Sequence, residues 1–166
     1  LQDLIDHDDL SGLYNMRSMY QKIDLEIKRA RRGHRHMACV MLDMDKFKTV
    51  NDDHDHLFGS FVLKETGALI RKTMRETDFA ARYGGDEFLV ILTETEARGA
   101  AQFCERLRQT IENHTFISGQ DSIRLTVSLG FALGGHEIDL DARGLVRAAD
   151  HNLYRAKESG RNKACG

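Results

Sequence analysis

The chain has 166 residues, 41% of them hydrophobic and 30% charged, which suits one domain with its own core and no disulfide scaffold. Its 24 basic and 26 acidic residues leave a net charge of −2, which excludes a polybasic chain that grips DNA or RNA polymers by charge alone. No apolar run approaches the ~18 residues of a membrane span, and Cys39, Cys104 and Cys165 form no CxxC pair. Odd in number and far apart, they suit packing in a reducing, cytoplasmic setting rather than zinc or disulfide chemistry.

The opening LQDLIDHDDL begins with Leu and offers no obvious partner for its apolar residues, as expected of a piece of a longer polypeptide. Met16, Met19, Tyr20, Ile23, Ile27 and Ala30 then fall at helical spacing, with Asn15 as N-cap and Arg29, Arg31, Arg32 and Gly33 as a C-terminal signal. Met37 to Leu42 runs apolar and ends at Asp43, which reads as a buried strand. A second helix carries Phe61, Val62, Thr66, Leu69 and Ile70. Phe79 to Tyr83 and Phe88 to Leu92 flank Gly84 and Gly85, a hairpin signal, since both turn residues can take positive φ. Ala97, Ala100, Ala101, Cys104, Leu107 and Ile111 form a third helical stripe. Ile123, Leu125, Val127, Leu129 and Phe131 alternate strictly and predict one strand. A last helix is expected over about Asp141 to Glu158, ended by Gly160. Helices and strands in this order predict an α+β domain with a mixed, partly antiparallel sheet covered by helices.

Asp43 and Asp45 close the first strand, while Asp86 and Glu87 follow the hairpin glycines. If the hairpin lies beside that strand, these acids converge. Carboxylates from neighbouring strand ends suit Mg²⁺, with substrate phosphates completing its shell. The plain alternative is that they are solvated turn residues. DDHDH, Asp52 to His56, invites a transition-metal reading, but a polar loop explains it as well.

RYGGDEF, Arg82 to Phe88, resembles the signature of the GGDEF family of diguanylate cyclases. Three further stretches resemble the same family, in its order: DDLSGLYN (Asp8 to Asn15), LDMDKFKTVND (Leu42 to Asp52) and AADHNLYRAKESGRN (Ala148 to Asn162). Asp9 stands where the family often has proline.

The resemblance implies a single domain over residues 1–166, with a ferredoxin-like nucleotidyl cyclase fold. It also implies a homodimer in which each protomer holds one nucleoside triphosphate and two Mg²⁺ (or Mn²⁺). Asp43, the Met44 carbonyl, Asp86 and Glu87 would hold metal, with Asp86 near the attacking 3′-hydroxyl. Gly84 and Gly85 would let the backbone approach the nucleotide. Lys46 and Phe47 would offer backbone N–H groups to the triphosphate, and Lys48, Lys157 and Arg161 would neutralise it. RETD, Arg75 to Asp78, resembles the family's inhibitory site for bound product, with Arg106 joining it. No membrane contact is expected of this domain.

Departures from the family pattern carry information too. Asp55 replaces a common glycine, and Ser60 stands where the family has the aspartate that pairs with guanine; Asn51, the other base-contacting residue, is kept. Guanine offers two donors to a carboxylate, whereas adenine presents a lone pair at N1 that a carboxylate repels. A serine hydroxyl donates or accepts. The same substitution marks the family's hybrid promiscuous subset, which makes cyclic AMP–GMP from ATP and GTP. Three readings follow: such a hybrid enzyme, an ordinary diguanylate cyclase tolerant of serine, or a silent domain sensing cyclic dinucleotide at Arg75 and Asp78.

Overall fold

The computed structural model describes residues 6–166, so Leu1 to Ile5 of the opening segment lie outside the described residues. Within that segment Leu10 does find a partner, packing partly buried against the core.

Strand β1 (Tyr14–Asn15) leads into helix α1 (Met16–Arg32). Asn15 caps α1 as expected, its Oδ1 accepting from the Ser18 N–H at 3.0 Å. Strand β2 (His36–Met44) is followed by α2 (Phe47–Asp53) and α3 (His56–Thr73). Then come β3 (Phe79–Gly84), β4 (Glu87–Leu92) and α4 (Ala97–Glu112). The chain ends with β5 (Phe116–Ser118), β6 (Asp121–Ile123), β7 (Val127–Gly135), α5 (Ala142–Glu158) and β8 (Ala164–Cys165).

Six strands form one sheet in the order β1-β3-β4-β2-β7-β8. β2 and β3 both run antiparallel to β4, so they are parallel to each other with β4 between them. β4 and β7 are related in the same way across β2. Two such split βαβ units are the ferredoxin-like arrangement. The strand β2 is apolar almost throughout because both of its faces are covered. Ala38, Val40, Leu42 and Met44 enter one core cluster with Phe58, Val62 and Ile70 of α3 and Leu107 of α4. Met37, Cys39 and Met41 enter the other, with Met19, Ile23 and Ile27 of α1 and Leu145, Ala149 and Leu153 of α5. By this alternation Asp43 points to the α1/α5 face.

Two expectations about strands need correction. The stretch from Ile123 to Phe131 is not one strand: β6 ends at Ile123 and pairs with β5 in a separate hairpin, while β7 begins at Val127. The alternation persists because Leu125 is buried although it lies between strands. The glycine hairpin is also offset. Gly84 pairs with Glu87, so Gly85 and Asp86 make the turn, and the register shifts at Tyr83.

Candidate active site

Pairing register brings the acids together. Asp43, near the end of β2, lies opposite Glu87 of β4 on one side and Ser128 of β7 on the other. Asp86 sits one residue earlier in the turn, its carbonyl accepting from the Met44 N–H at 3.3 Å. Gly85 holds that turn at φ +41°, where a side chain would be strained. A Cβ on Gly84 or Gly85 would meet no atom within 4 Å, so both face open space.

α5 adds a cation. A Cβ on Gly130 of β7 would lie 2.0 Å from the Leu153 nitrogen, so the bare glycine lets α5 rest on the strand's backbone. Asn152 pins the contact, donating from Nδ2 to the Phe131 carbonyl at 2.8 Å. From Leu153 to Lys157 the helix rises roughly 6 Å. Two strand residues, Gly130 back to Ser128, span roughly 6.8 Å. Lys157 therefore arrives level with Ser128 and its neighbour Asp43, and its Nζ donates to Asp43 Oδ2.

The electrostatics record three carboxylates crowding one ammonium. Burial, then the Asp43 carboxylate, pushes the Asp86 carboxyl up to about 7. Burial and Asp43 also raise Glu87 above the usual carboxylate range, against the pull of Lys157. Burial pulls Lys157 down, yet contact with Asp43 and the charges of Glu87 and Asp86 outweigh it, and the net shift is upward. Asp43 Oδ1 is buried with no hydrogen-bond partner.

Asp45, grouped with these acids in the sequence reading, is occupied elsewhere. Its carboxylate accepts from Thr126 Oγ1 and Ser128 Oγ, both at 2.7 Å, and from the Asn162 N–H at 3.1 Å. It ties the loop after α5 to the sheet. That loop and the start of α2 carry three non-glycine residues in the left-handed region: Lys46 (φ +58°), Arg161 (φ +63°) and Asn162 (φ +47°). All three line one cleft of about 470 Å³. Arg124 lines it as well, with no motif to announce it. Phe47 is buried, while Lys48 is exposed on α2.

Asn51 and Ser60 stand on α2 and α3. A Cβ on Gly59 would lie 2.0 Å from Asn51 Oδ1, so the Asn51 amide is seated against that glycine, next to Ser60. Asp55 caps α3, accepting from the Phe58 N–H at 2.8 Å. His54 pairs with Asp121 of β6 at 2.9 Å. The DDHDH loop is thus built from a cap and a tether.

Arg75 and Asp78 form a separate site. Asp78 receives Arg75 Nε at 3.2 Å and Nη2 at 3.0 Å, and it also accepts backbone N–H groups of Arg75 and Thr93. Its side chain is only 1% exposed, whereas that of Arg75 is 53% exposed. Arg75 Nη2 also donates to the Thr93 carbonyl at 2.5 Å and the Thr95 hydroxyl at 3.0 Å, so Asp78 and its neighbours fix a guanidinium that stays half exposed. Arg75 and Arg106 line the same cleft of about 330 Å³.

The sequence reading gave Arg82 no role. Its Nε and Nη2 donate to the Gly85 carbonyl at 2.9 and 2.7 Å, and its Nη1 reaches Asp8 at 3.4 Å. Asp8 also accepts from the Ser11 N–H and hydroxyl, both at 2.8 Å. The DDLSGLYN segment is thereby joined to the glycine turn.

The family model for "Diguanylate cyclase, GGDEF domain" matches residues 5–163. Response regulator PleD of Caulobacter vibrioides is 35% identical over 161 residues, 96% of this chain and 35% of PleD. Diguanylate cyclase DgcP of Pseudomonas aeruginosa is 37% identical over 157 residues, 94% of this chain and 23% of DgcP. The chain thus spans about a third or less of the length of these two relatives. Among solved structures, the GGDEF domain of DgcB from Caulobacter crescentus, in complex with c-di-GMP, superposes with a TM-score of 0.91 at 28% identity, over 97% of this chain and 92% of that one. With the fold, the order of motifs and the family match in agreement, the chain belongs to the GGDEF domain family of diguanylate cyclases.

Proposed function

We propose that this domain joins two nucleoside triphosphates head to tail into a cyclic dinucleotide, accepting ATP beside GTP to make 3′,3′-cyclic AMP–GMP, with cyclic di-GMP as a side product. The observation that carries the reaction class is the convergence of Asp43, Asp86 and Glu87 with Lys157 beside an open glycine turn. The name of one relative agrees with it, DgcP being a diguanylate cyclase.

The residues present fit a divalent cation. Asp43 Oδ1 is buried and unpartnered, and the neighbouring Asp86 and Glu87 carboxyls are raised by burial and then by the Asp43 charge. Among the described residues, no three metal-type side chains close into a complete cluster. Mg²⁺ does not require one, since it takes one or two carboxylates and fills its octahedron with water and phosphate oxygens. Asp43, Asp86, Glu87 and the Met44 carbonyl are the groups to hold it. Bound there, the cation would polarise the α-phosphate and neutralise charge on the departing pyrophosphate.

The chain's own residues do the rest. Asp86 takes the proton of the attacking 3′-hydroxyl as its oxygen bonds to the α-phosphorus and the bond to pyrophosphate breaks. Backbone N–H groups of Lys46 and Phe47, with Lys48, Lys157 and Arg161, hold the triphosphate. Gly84 and Gly85 leave room for it. Each bond needs one nucleotide from each of two facing protomers, so the active form is a homodimer. A product molecule binds Arg75 and Arg106 in the second cleft, with Asp78 holding Arg75 in place, and inhibits.

Ser60 carries the base preference. Where a carboxylate would select guanine, the Ser60 hydroxyl serves either purine. The test is incubation with equal ATP and GTP plus Mg²⁺, followed by chromatography. Mixed dinucleotide as the main product is expected. Cyclic di-GMP alone would identify an ordinary diguanylate cyclase, and binding of cyclic dinucleotide without turnover would identify a sensor.

A further inference from the structure

We propose that Lys157 is an exchangeable cation: it neutralises Asp43 while no divalent metal is bound, and it moves to the substrate's triphosphate when a metal takes that carboxylate. The inference rests on the reading of Asp43, Asp86 and Glu87 as the metal-binding set.

Lys157 Nζ contacts Asp43 Oδ2, and the opposite oxygen, Oδ1, has no hydrogen-bond partner. The Asp43 side chain is 13% exposed. A carboxylate so far from water is costly without a counter-charge. Two more carboxylates, Asp86 and Glu87, crowd the same point, and Lys157 is the cation in contact with it. The ammonium thus stands on an oxygen that a metal would use.

The chemistry of lysine makes exchange practicable. Its charge is a compact point on a flexible four-carbon stem, with no planar fork to lock it in one geometry. The Lys157 side chain is 28% exposed, so its head lies near the mouth of the site. Arg161, in the loop beyond the helix, lines the neighbouring cleft with Lys46. A short swing would carry the Lys157 ammonium from carboxylate to phosphate.

Exchange couples two ligands. A metal arriving alone must compete with a tethered ammonium held at high effective concentration. A triphosphate arriving with it gives Lys157 another anion. Each ligand therefore strengthens the other, and thermodynamic linkage makes the effect reciprocal. The domain would then take up metal with nucleotide, rather than holding metal at rest.

The experiment measures Mn²⁺ binding by paramagnetic resonance of the free ion, with and without a GTP analogue carrying a methylene bridge between the α- and β-phosphates. Wild-type protein is expected to bind Mn²⁺ weakly alone and at least tenfold more tightly with the analogue. Lys157→Met keeps the stem and removes the charge. It should bind Mn²⁺ alone at least tenfold more tightly than wild type, with a smaller further gain from the analogue. Lys157→Gln, checked for native circular dichroism, should do the same and guards against local collapse in the Met variant. If neither variant tightens Mn²⁺ binding while Asp43→Asn abolishes it, the exchange is overturned and the metal-site reading stands. If Asp43→Asn leaves Mn²⁺ binding unchanged, the metal-site reading fails and takes the exchange with it.

Discussion

Arg82 lays two guanidinium N–H groups on one oxygen, the Gly85 carbonyl, at 2.9 and 2.7 Å. The turn that carries Asp86 is thus clamped from outside the acid cluster. Lysine could keep the charge but not the fork. Arg82→Lys is therefore expected to lower product formation by roughly tenfold or more, since small displacements of a reacting group are costly. Lysine keeps a positive charge, but the Arg82 and Asp8 side chains are only 20% and 22% exposed, so the melting temperature should also fall by a few degrees. Rate and thermal melting, measured on the same sample, separate the two effects.

Asp86→Asn and Glu87→Gln should abolish turnover with the fold intact. Asp86→Asn should also raise the melting temperature. Burial and the Asp43 charge push the Asp86 carboxyl up to about 7, so its ionised form is unfavourable in the folded state. Removing a strained functional charge commonly exchanges activity for stability. A variant that turns over normally would place the chemistry elsewhere.

Ser60→Asp should shift product toward cyclic di-GMP and depress ATP use. A good bidentate base contact is worth roughly 1–3 kcal/mol, so base preference should move by about tenfold or more. Asn51→Ala should lower every product, because an amide both donates and accepts. An unchanged product ratio in Ser60→Asp would mean that selectivity lies outside this position.

Activity per protomer should rise with protein concentration, because the proposed reaction gives one domain half of each bond-forming geometry. A fused dimerising segment should raise it further through effective concentration alone. A rate per protomer that stays flat across wide dilution would argue against facing half-sites.

His36 gives a pH signature away from the acid cluster. Its Nδ1 lies 2.6 Å from Glu96 Oε2, and that hydrogen bond, opposed by slight burial, raises the imidazole above its ordinary 6.5. The protonated form is thus favoured in the folded state. Its contribution to stability is complete below pH 6.5 and is lost as pH rises through the raised value. Glu96 is 70% exposed, so the effect on stability is small. Proton-resonance titration of His36 should show the raised midpoint, and Glu96→Gln should lower it.

What could be read from sequence depended on the range of each interaction. Asn15 as a cap, the α1 stripe and the buried apolar strand over Met37 to Leu42 are local patterns and appear as expected, though β2 runs on through Asp43 to Met44. Position at the strand end groups Asp45 with Asp43, and only the family resemblance leaves it out of the metal set. Its partners lie at Thr126, Ser128 and Asn162, and only the fold reveals that they consume it. Alternation misled between Ile123 and Val127, because buried Leu125 keeps the period while the backbone leaves the sheet. Gly59 and Arg124 carried no signal. One matters as empty space beside Asn51, and the other as a cleft wall shared with Lys46 and Arg161.

The close seating of α5 on Gly130 has a consequence in genetic terms. An added methyl would collide with helix backbone, which cannot rotate away, so Gly130→Ala would lift α5 from the strand. Lys157, one turn along that helix, would lift with it. Such an allele would leave every acidic and basic side chain of the site in the sequence, yet behave as a temperature-sensitive loss of signal. A screen for inactive alleles would then recover two classes: those that change the chemistry, and those that misplace one helix by an ångström or two at a position that touches no substrate.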